Sequence, residues 1–289
     1  MRRALAACAF LLAAHSTAAA QSAIATDTAT VEQRVLVAGE TTPADARRRA
    51  IEGALAEAVR RVLGVRLQSA QIGIASDDGG RASDGFVSVV QLDAAGRAVD
   101  YRILHERWVP GAGGELRYEV RLVATVARDV GAPDPAFRVD AELNDALFFV
   151  EGADPSANAE VVVTARATRD AWLTVLAIAD DSVQVLFPNA LVGELRAAAD
   201  AAVEVPDAGW RAQGIRLRAT LPTGRSSRRE VVAVVATRDA VPPPARGRTT
   251  NDAGAADPSI SLLELQRWLV SIPADRRAVS FAAYEVRRR

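Results

Sequence analysis

Apolar residues recur at steps of three and four in two stretches of the chain and alternate with polar ones in many others. Ala46, Ala50, Ile51, Ala54, Leu55, Ala58, Val59 and Val62 lie on one stripe of a helix of about five turns. Thr42-Pro43-Ala44-Asp45 opens it, with Thr at the cap, Pro at the first helical position and an acid in the first turn, and Gly64 stops it. Arg47, Arg48, Glu52, Glu57, Arg60 and Arg61 are expected on its solvent face. The small residues of the stripe allow close approach to a sheet. Strands are predicted over residues 31–40, with Val31, Val35 and Val37 on one face, and over 65–71, 86–92, 99–108 and 116–127. The last is the clearest, since Leu116, Tyr118, Val120, Leu122, Ala124 and Val126 alternate strictly. Residues 110–114 (PGAGG) close a hairpin between the last two strands.

Beyond Pro133 and Pro135 the pattern is almost all β. Strands are predicted over residues 137–143, 147–151, 159–168, 172–179, 182–187, 215–221 and 230–237, and again over 278–286. Residues 172–178 are nearly continuously apolar, as suits a buried central strand. Residues 240–258 are Pro-rich, lack aromatics and show no period, which predicts a mobile surface loop. A late helix starts at Ser259 or Ser261, has Leu262, Leu263, Leu265, Trp268 and Leu269 as its apolar face, and ends at Pro273. The expected architecture is two domains. Residues 31–130 read as an α+β unit, one long helix on an antiparallel sheet. Residues 131–136 form a linker. Residues 137–289 read as a mainly antiparallel β-sandwich with one late helix.

Residues 1–20 read as a signal peptide: Arg2 and Arg3, an apolar run from Ala4 to Ala14, and Ala18-Ala19-Ala20 before Gln21. Residues 21–30 are small and polar and read as a flexible leader. Leu5-Ala6-Ala7-Cys8 resembles a lipobox, but too few apolar residues precede Cys8 for a lipoprotein signal. The expected location is therefore periplasmic or secreted. The longest later apolar run, residues 171–179, is too short to span a bilayer.

Composition then narrows the chemistry. All 35 basic residues are Arg, set against 36 acidic ones, for a formal charge of −1 over 289 residues. That balance argues against a nucleic-acid partner. Cys8 is the only cysteine, and His105 is the only histidine after residue 20. Structural disulfides, thiol catalysis and Cys- or His-rich metal sites are thereby excluded from the expected mature chain. His105 and Glu106 are adjacent on a strand, so their side chains point to opposite faces and form no triad. Asp77-Asp78 and Asp180-Asp181 lack the alternation of a calcium loop. Phe187, Trp172 and Trp268 read as core, Pro188-Asn189 as a strand end and turn, and Arg287-Arg288-Arg289 as a solvated basic tail. The sequence nominates no catalytic, cofactor-binding or metal-ligating residue.

Two resemblances add a context. Ala46-Arg47, Ala50-Ile51, Ala54-Leu55 and Ala58 on the helix, with Gly39 before it, Val99-Asp100-Tyr101-Arg102-Ile103-Leu104 and Tyr118-Glu119-Val120, resemble the N-terminal domain of flagellar assembly protein T over about 100 residues. Ala171-Trp172-Leu173-Thr174-Val175-Leu176 and Val183-Gln184-Val185-Leu186-Phe187-Pro188-Asn189, then Val205-Pro206 and residues 231–236, resemble the bacterial domain of unknown function 4384. Asp180-Asp181-Ser182 stands where that family usually turns on a Gly. The resemblances imply an envelope-associated accessory module and no defined chemistry. The expected function is a non-enzymatic secreted envelope protein, an interaction or assembly module whose partner is another envelope protein. The alternatives are a small-molecule or glycan binder using a cleft between the domains and, third, a hydrolase using carboxylates.

Overall fold

A computed structural model describes residues 24–37, 42–63, 96–111, 115–151, 154–179, 182–244, 249–250, 256–257 and 259–289. The expected signal peptide with Cys8, Gly39, Gly64, the strands expected over 65–71 and 86–92, and both Asp-Asp pairs lie outside the described residues.

The fold is mostly β, in several antiparallel sheets. The first sheet has the order β1-β3-β2, built from β1 (Thr26–Val37), β2 (Gly96–Pro110) and β3 (Leu116–Arg128). Helix α1 (Pro43–Leu63) covers one of its faces. Thr42 caps α1, its Oγ1 accepting from the Asp45 amide at 3.1 Å and donating to the Asp45 carboxylate at 2.7 Å. The predicted stripe is the buried one: Ala46, Ala50, Ile51, Ala54, Leu55, Ala58 and Val59 pack on Val31, Tyr118, Val120, Leu122, Ala124 and Val126. Four alanines fully covered by the sheet let the helix sit close to it.

Three expectations change here. Strand β1 begins at Thr26, so residues 26–30 of the expected leader pair with 123–127 of β3. These residues carry Thr at alternate positions, a composition that serves a half-exposed strand as well as a leader. Glu52, expected on the solvent face, is 7% exposed and lines a cleft that residues of a later helix also border. Leu116 is exposed at the open end of β3.

The remainder of the chain runs β4 (Val139–Leu143), β5 (Leu147–Val150), β6 (Glu160–Val161), β7 (Val163–Ala167), β8 (Ala171–Ala179), β9 (Ser182–Phe187), β10 (Arg196–Ala197) and β11 (Ala202–Val205). It continues through α2 (Ala208–Ala212), β12 (Leu217–Arg218), β13 (Ser227–Thr237), β14 (Thr249–Thr250), β15 (Ala256–Asp257), β16 (Ser259–Ser261), α3 (Leu262–Ser271) and β17 (Arg277–Arg288). The large sheet has the order β16-β9-β8-β13-β17-β5, with β10 beside β8, and a smaller sheet has the order β11-β7-β4. Strands β8 and β13 are buried on both faces. Leu173, Val175, Val232, Val234 and Ala236 share one apolar cluster with β4, β7 and β11. Leu176, Ile178, Val231, Ala233 and Val235 share another with α3. This explains their unbroken apolar runs. Pairing of β17 with β5 is parallel, unlike the rest.

Further differences have local causes. The strand expected over 215–221 shrinks to β12, paired with β6, and Ala219 just beyond it donates to the Ala159 carbonyl and accepts from the Asn158 carboxamide. Arg287, Arg288 and Arg289 are no free tail: Arg288 belongs to β17, Arg287 pairs with Glu285, and Arg289 pairs with Glu151. Within the loop expected over 240–258, β14 pairs with β15, and the Trp268 indole donates to the Pro242 carbonyl at 2.8 Å. Phe187 is fully buried and stacks on Trp210 at 5.6 Å. The peptide bonds Phe187-Pro188 and Val205-Pro206 are cis. The Asn189 carboxamide closes the following turn, accepting from the Leu191 and Val192 amides at 2.9 Å.

One ion cluster joins the first sheet to the large one. Asp129, just beyond β3, lies 2.5 Å from an Arg277 terminal nitrogen and 3.7 Å from one of Arg97. Both arginines are buried, at 8% and 3% exposure. Arg277 also donates to the Ile272 carbonyl, and the Ala274 amide to the Val130 carbonyl at 2.8 Å. Removing the carboxylate takes away the anion that two buried cations share. Asp129→Ala is therefore expected to lower unfolding free energy by about 3–5 kcal/mol, measured by urea denaturation. The triple change Arg97→Met, Asp129→Leu, Arg277→Met should recover most of that loss.

Candidate functional site

A cleft of about 490 Å³ opens between α1, α3 and β2. Helix α3 is set there by its own N-terminus. Ser261 Oγ accepts from the Glu264 amide at 3.2 Å, and the Glu264 carboxylate accepts from the Ser261 amide at 2.7 Å. Arg267, on the exposed side of α3, then reaches β2, donating to the Val99 carbonyl at 2.5 Å and approaching Asp100 at 3.4 Å. The apolar wall comprises Ile51 and Leu55 of α1 with Leu262 and Leu263 of α3, and Tyr101 of β2 stands at the rim. Arg47, Arg48, Glu52 and Gln266 supply its polar groups.

Arg47 is held by a relay from the sheet. Tyr118, buried in β3, donates its hydroxyl to Glu106 of β2, and Arg47 Nε donates to the same carboxylate oxygen at 2.9 Å. The Trp108 ring lies 4.7 Å from that of Tyr118. The hydrogen bond from Tyr118, reinforced by Arg47, holds the Glu106 carboxyl below its ordinary value. Burial, with the carboxylate beside it, pushes the Tyr118 phenol up to about 12. The trio is thus an ionised carboxylate between a neutral phenol and a guanidinium at any moderate pH. That arrangement fixes a cation in place and offers no free base.

Adjoining the cleft, β2 is an edge strand of 15 residues. Among the described residues, no strand pairs with its outer side. Tyr101, Leu104 and Trp108 are exposed along it, Trp108 at 40%. Its bulges fall at Ala98/Asp100 and Ile103/His105. His105 is exposed, lies opposite Arg121 and is close enough to Glu119 to act on its charge, away from Glu106. The carboxylate of Glu119 itself sits between Arg107 at 2.7 Å and Arg34 at 3.1 Å.

Sequence reading missed Glu106, Tyr118 and Arg47 as a unit, since they come from three elements. The strict alternation through Tyr118 marked it as core and hid its hydroxyl's role. Trp172 is half-buried beneath the Arg196 guanidinium, 3.6 Å from the ring centre. Among the described residues, no group of three or more His, Cys, Asp or Glu is arranged to hold a metal ion, and no helix is long and apolar enough to cross a membrane.

Folding lowers the Glu106 value, so its contribution is complete above the ordinary value of 4.5 and is lost as pH falls through the lowered one. Because the carboxylate is partly exposed, the contribution is below about 1 kcal/mol. Glu106→Gln should therefore lose less stability than the parent between about pH 5 and about pH 3, as read from melting temperature against pH.

No family model matches the chain, and no curated protein matches it in sequence.

Proposed function

We propose that this chain is an exported, non-enzymatic interaction module of the bacterial cell envelope that docks another envelope protein along β2. The carrying observation is that, among the described residues, no strand pairs with the outer side of β2, along which Tyr101, Leu104 and Trp108 are exposed. An edge strand presents a row of unpaired backbone groups, and a partner strand can add to it while the exposed side chains give selectivity. Tyr, Trp and Arg are also the residues that anchor protein interfaces, and Arg47 and Arg107 flank this row.

The wider reading is of two units. Residues 31–130 would form the α+β unit, with the resemblance to the N-terminal domain of flagellar assembly protein T. Residues 137–289 would form a β-sandwich of the domain of unknown function 4384 type. The apolar cluster shared by the small and large sheets supports the sandwich, and the alanine-rich face of α1 packed on the first sheet supports the α+β unit. Export rests on the signal-like residues 1–20. A second reading, a binder of small molecules, is favoured by the cleft between α1 and α3.

Photo-crosslinking residues placed at Leu104 and Trp108, in cells producing the chain, test the docking reading. The expected result is one identified envelope protein captured from both positions and not from Leu191, which is 75% exposed at a distant turn. Capture patterns that are the same at all three positions would refute docking through β2.

A further inference from the structure

The cleft has a more specific chemistry than a gap between helices. Its wall is aliphatic where Ile51 and Leu55 face Leu262 and Leu263, and its volume lies within the range of small-molecule sites, roughly 300–1,000 Å³. Arg47 sits at this wall with its orientation already set. Glu106 engages Nε at 2.9 Å and one terminal nitrogen, at 3.5 Å, and Tyr118 holds Glu106 from the other side. Among the described residues, no acceptor engages the remaining terminal nitrogen, Nη1. A guanidinium immobilised on one edge keeps its other edge for a ligand at little further cost in rotamer entropy.

The other polar features narrow the ligand. The Ser261–Glu264 capping box takes the Ser261 and Glu264 amides and sets the Glu264 carboxylate at the N-terminus of α3, so that helix end offers no strong anion cradle. Arg48 is paired with Asp45 at 2.7 Å, so the uncommitted cationic edge is that of Arg47. One such edge suits a single carboxylate and falls short of a polyphosphate. Among the described residues, Tyr101 is the one aromatic ring that borders the cleft, which is poor provision for stacking a sugar.

We propose that the cleft binds a small amphiphilic monoanion, its apolar body against Ile51, Leu55, Leu262 and Leu263 and its carboxylate on the outer edge of Arg47. This rests on the second reading above, that the cleft is a binding site, and adds the class of ligand. Arg47 is then the specificity residue, and Glu106 and Tyr118 are positioning residues that act through it.

Decanoate, decanol and decylamine, each below its aggregation concentration, test this with the purified full chain. Saturable binding is read by ligand-observed NMR and by the shift in melting temperature. Decanoate is expected to bind about tenfold or more tightly than decanol, the difference a charge-assisted hydrogen bond makes, and decylamine the weakest of the three. Arg47→Gln should bring decanoate down to decanol's affinity while leaving decanol unchanged. Ala44→Trp, a bulky change at the exposed rim, and Leu263→Trp, inside the wall, should each weaken all three probes. The rim variant keeps the test decisive should the inner one fail to fold. Equal binding of decanoate and decanol that is still lost in Ala44→Trp would overturn the headgroup assignment and leave the cleft reading intact. Absence of saturable binding by any probe, or binding untouched by the rim variant, would overturn the cleft reading itself.

Discussion

Two guanidinium groups buried around one carboxylate set the terms for the rest of this structure. Arg97 enters β2, Asp129 leaves β3, and Arg277 begins β17. Three charges withdrawn from water at one seam are tolerated only while all three stay together. Stretching the seam costs far more than separating a surface pair, so the end of the first sheet and the start of the last strand move as one. Around it the chain adds directional bonds: Val130 with Ala274, Arg277 with the Ile272 carbonyl, and Asp134 with Arg238. Residues 131–136, which read as a linker by composition, are therefore flanked by fastened positions. Helix α3 ends at Ser271, immediately before this cluster, so its angle to β2 and α1 depends on the same constraint. The cleft exists because that angle leaves a gap between two helices whose far sides are already committed to separate cores.

Much of the fold was legible because burial against a single partner leaves a periodic trace. The stripe of α1, the alternation of β3, the capping residues of α3 and the unbroken runs of β8 and β13 each record one local geometry. What escaped reading involves a second partner far along the chain. Glu52 belongs to the polar side of α1 by period, yet it is buried in a cleft whose other wall comes from α3, some 210 residues later. Arg97, Asp129 and Arg277 each look like ordinary solvated charges in their own segments. Residues 26–30 alternate too weakly to declare a strand, and their pairing is supplied by β3, about 100 residues away.

The candidate site shows the same division. Tyr101 and Trp108 are visible as strand residues, and His105 was correctly separated from Glu106 by strand alternation. The relay from Tyr118 through Glu106 to Arg47 was invisible, because it needs the register of β2 on β3 and the height of α1 above both. Bulges in β2 matter here. A strand whose register shifts twice cannot be phased by counting residues from either end.

The two surfaces proposed for binding are not independent. Tyr101 stands at the rim of the cleft and is also exposed along β2, and Glu106 of β2 orients Arg47 in the cleft. A ligand that drew Arg47 toward its carboxylate would pull on Glu106, and through it on the part of β2 that carries Trp108. A strand added to the edge of β2 would in turn restrict Glu106 and Tyr101. Any such effect must be reciprocal: if occupancy of the cleft changes affinity for a partner on β2, that partner changes ligand affinity by the same factor. The rigid seam at Asp129 strengthens this argument. Arg97 ties the start of β2 to Asp129, and Glu106 ties its later part to Arg47 in the cleft.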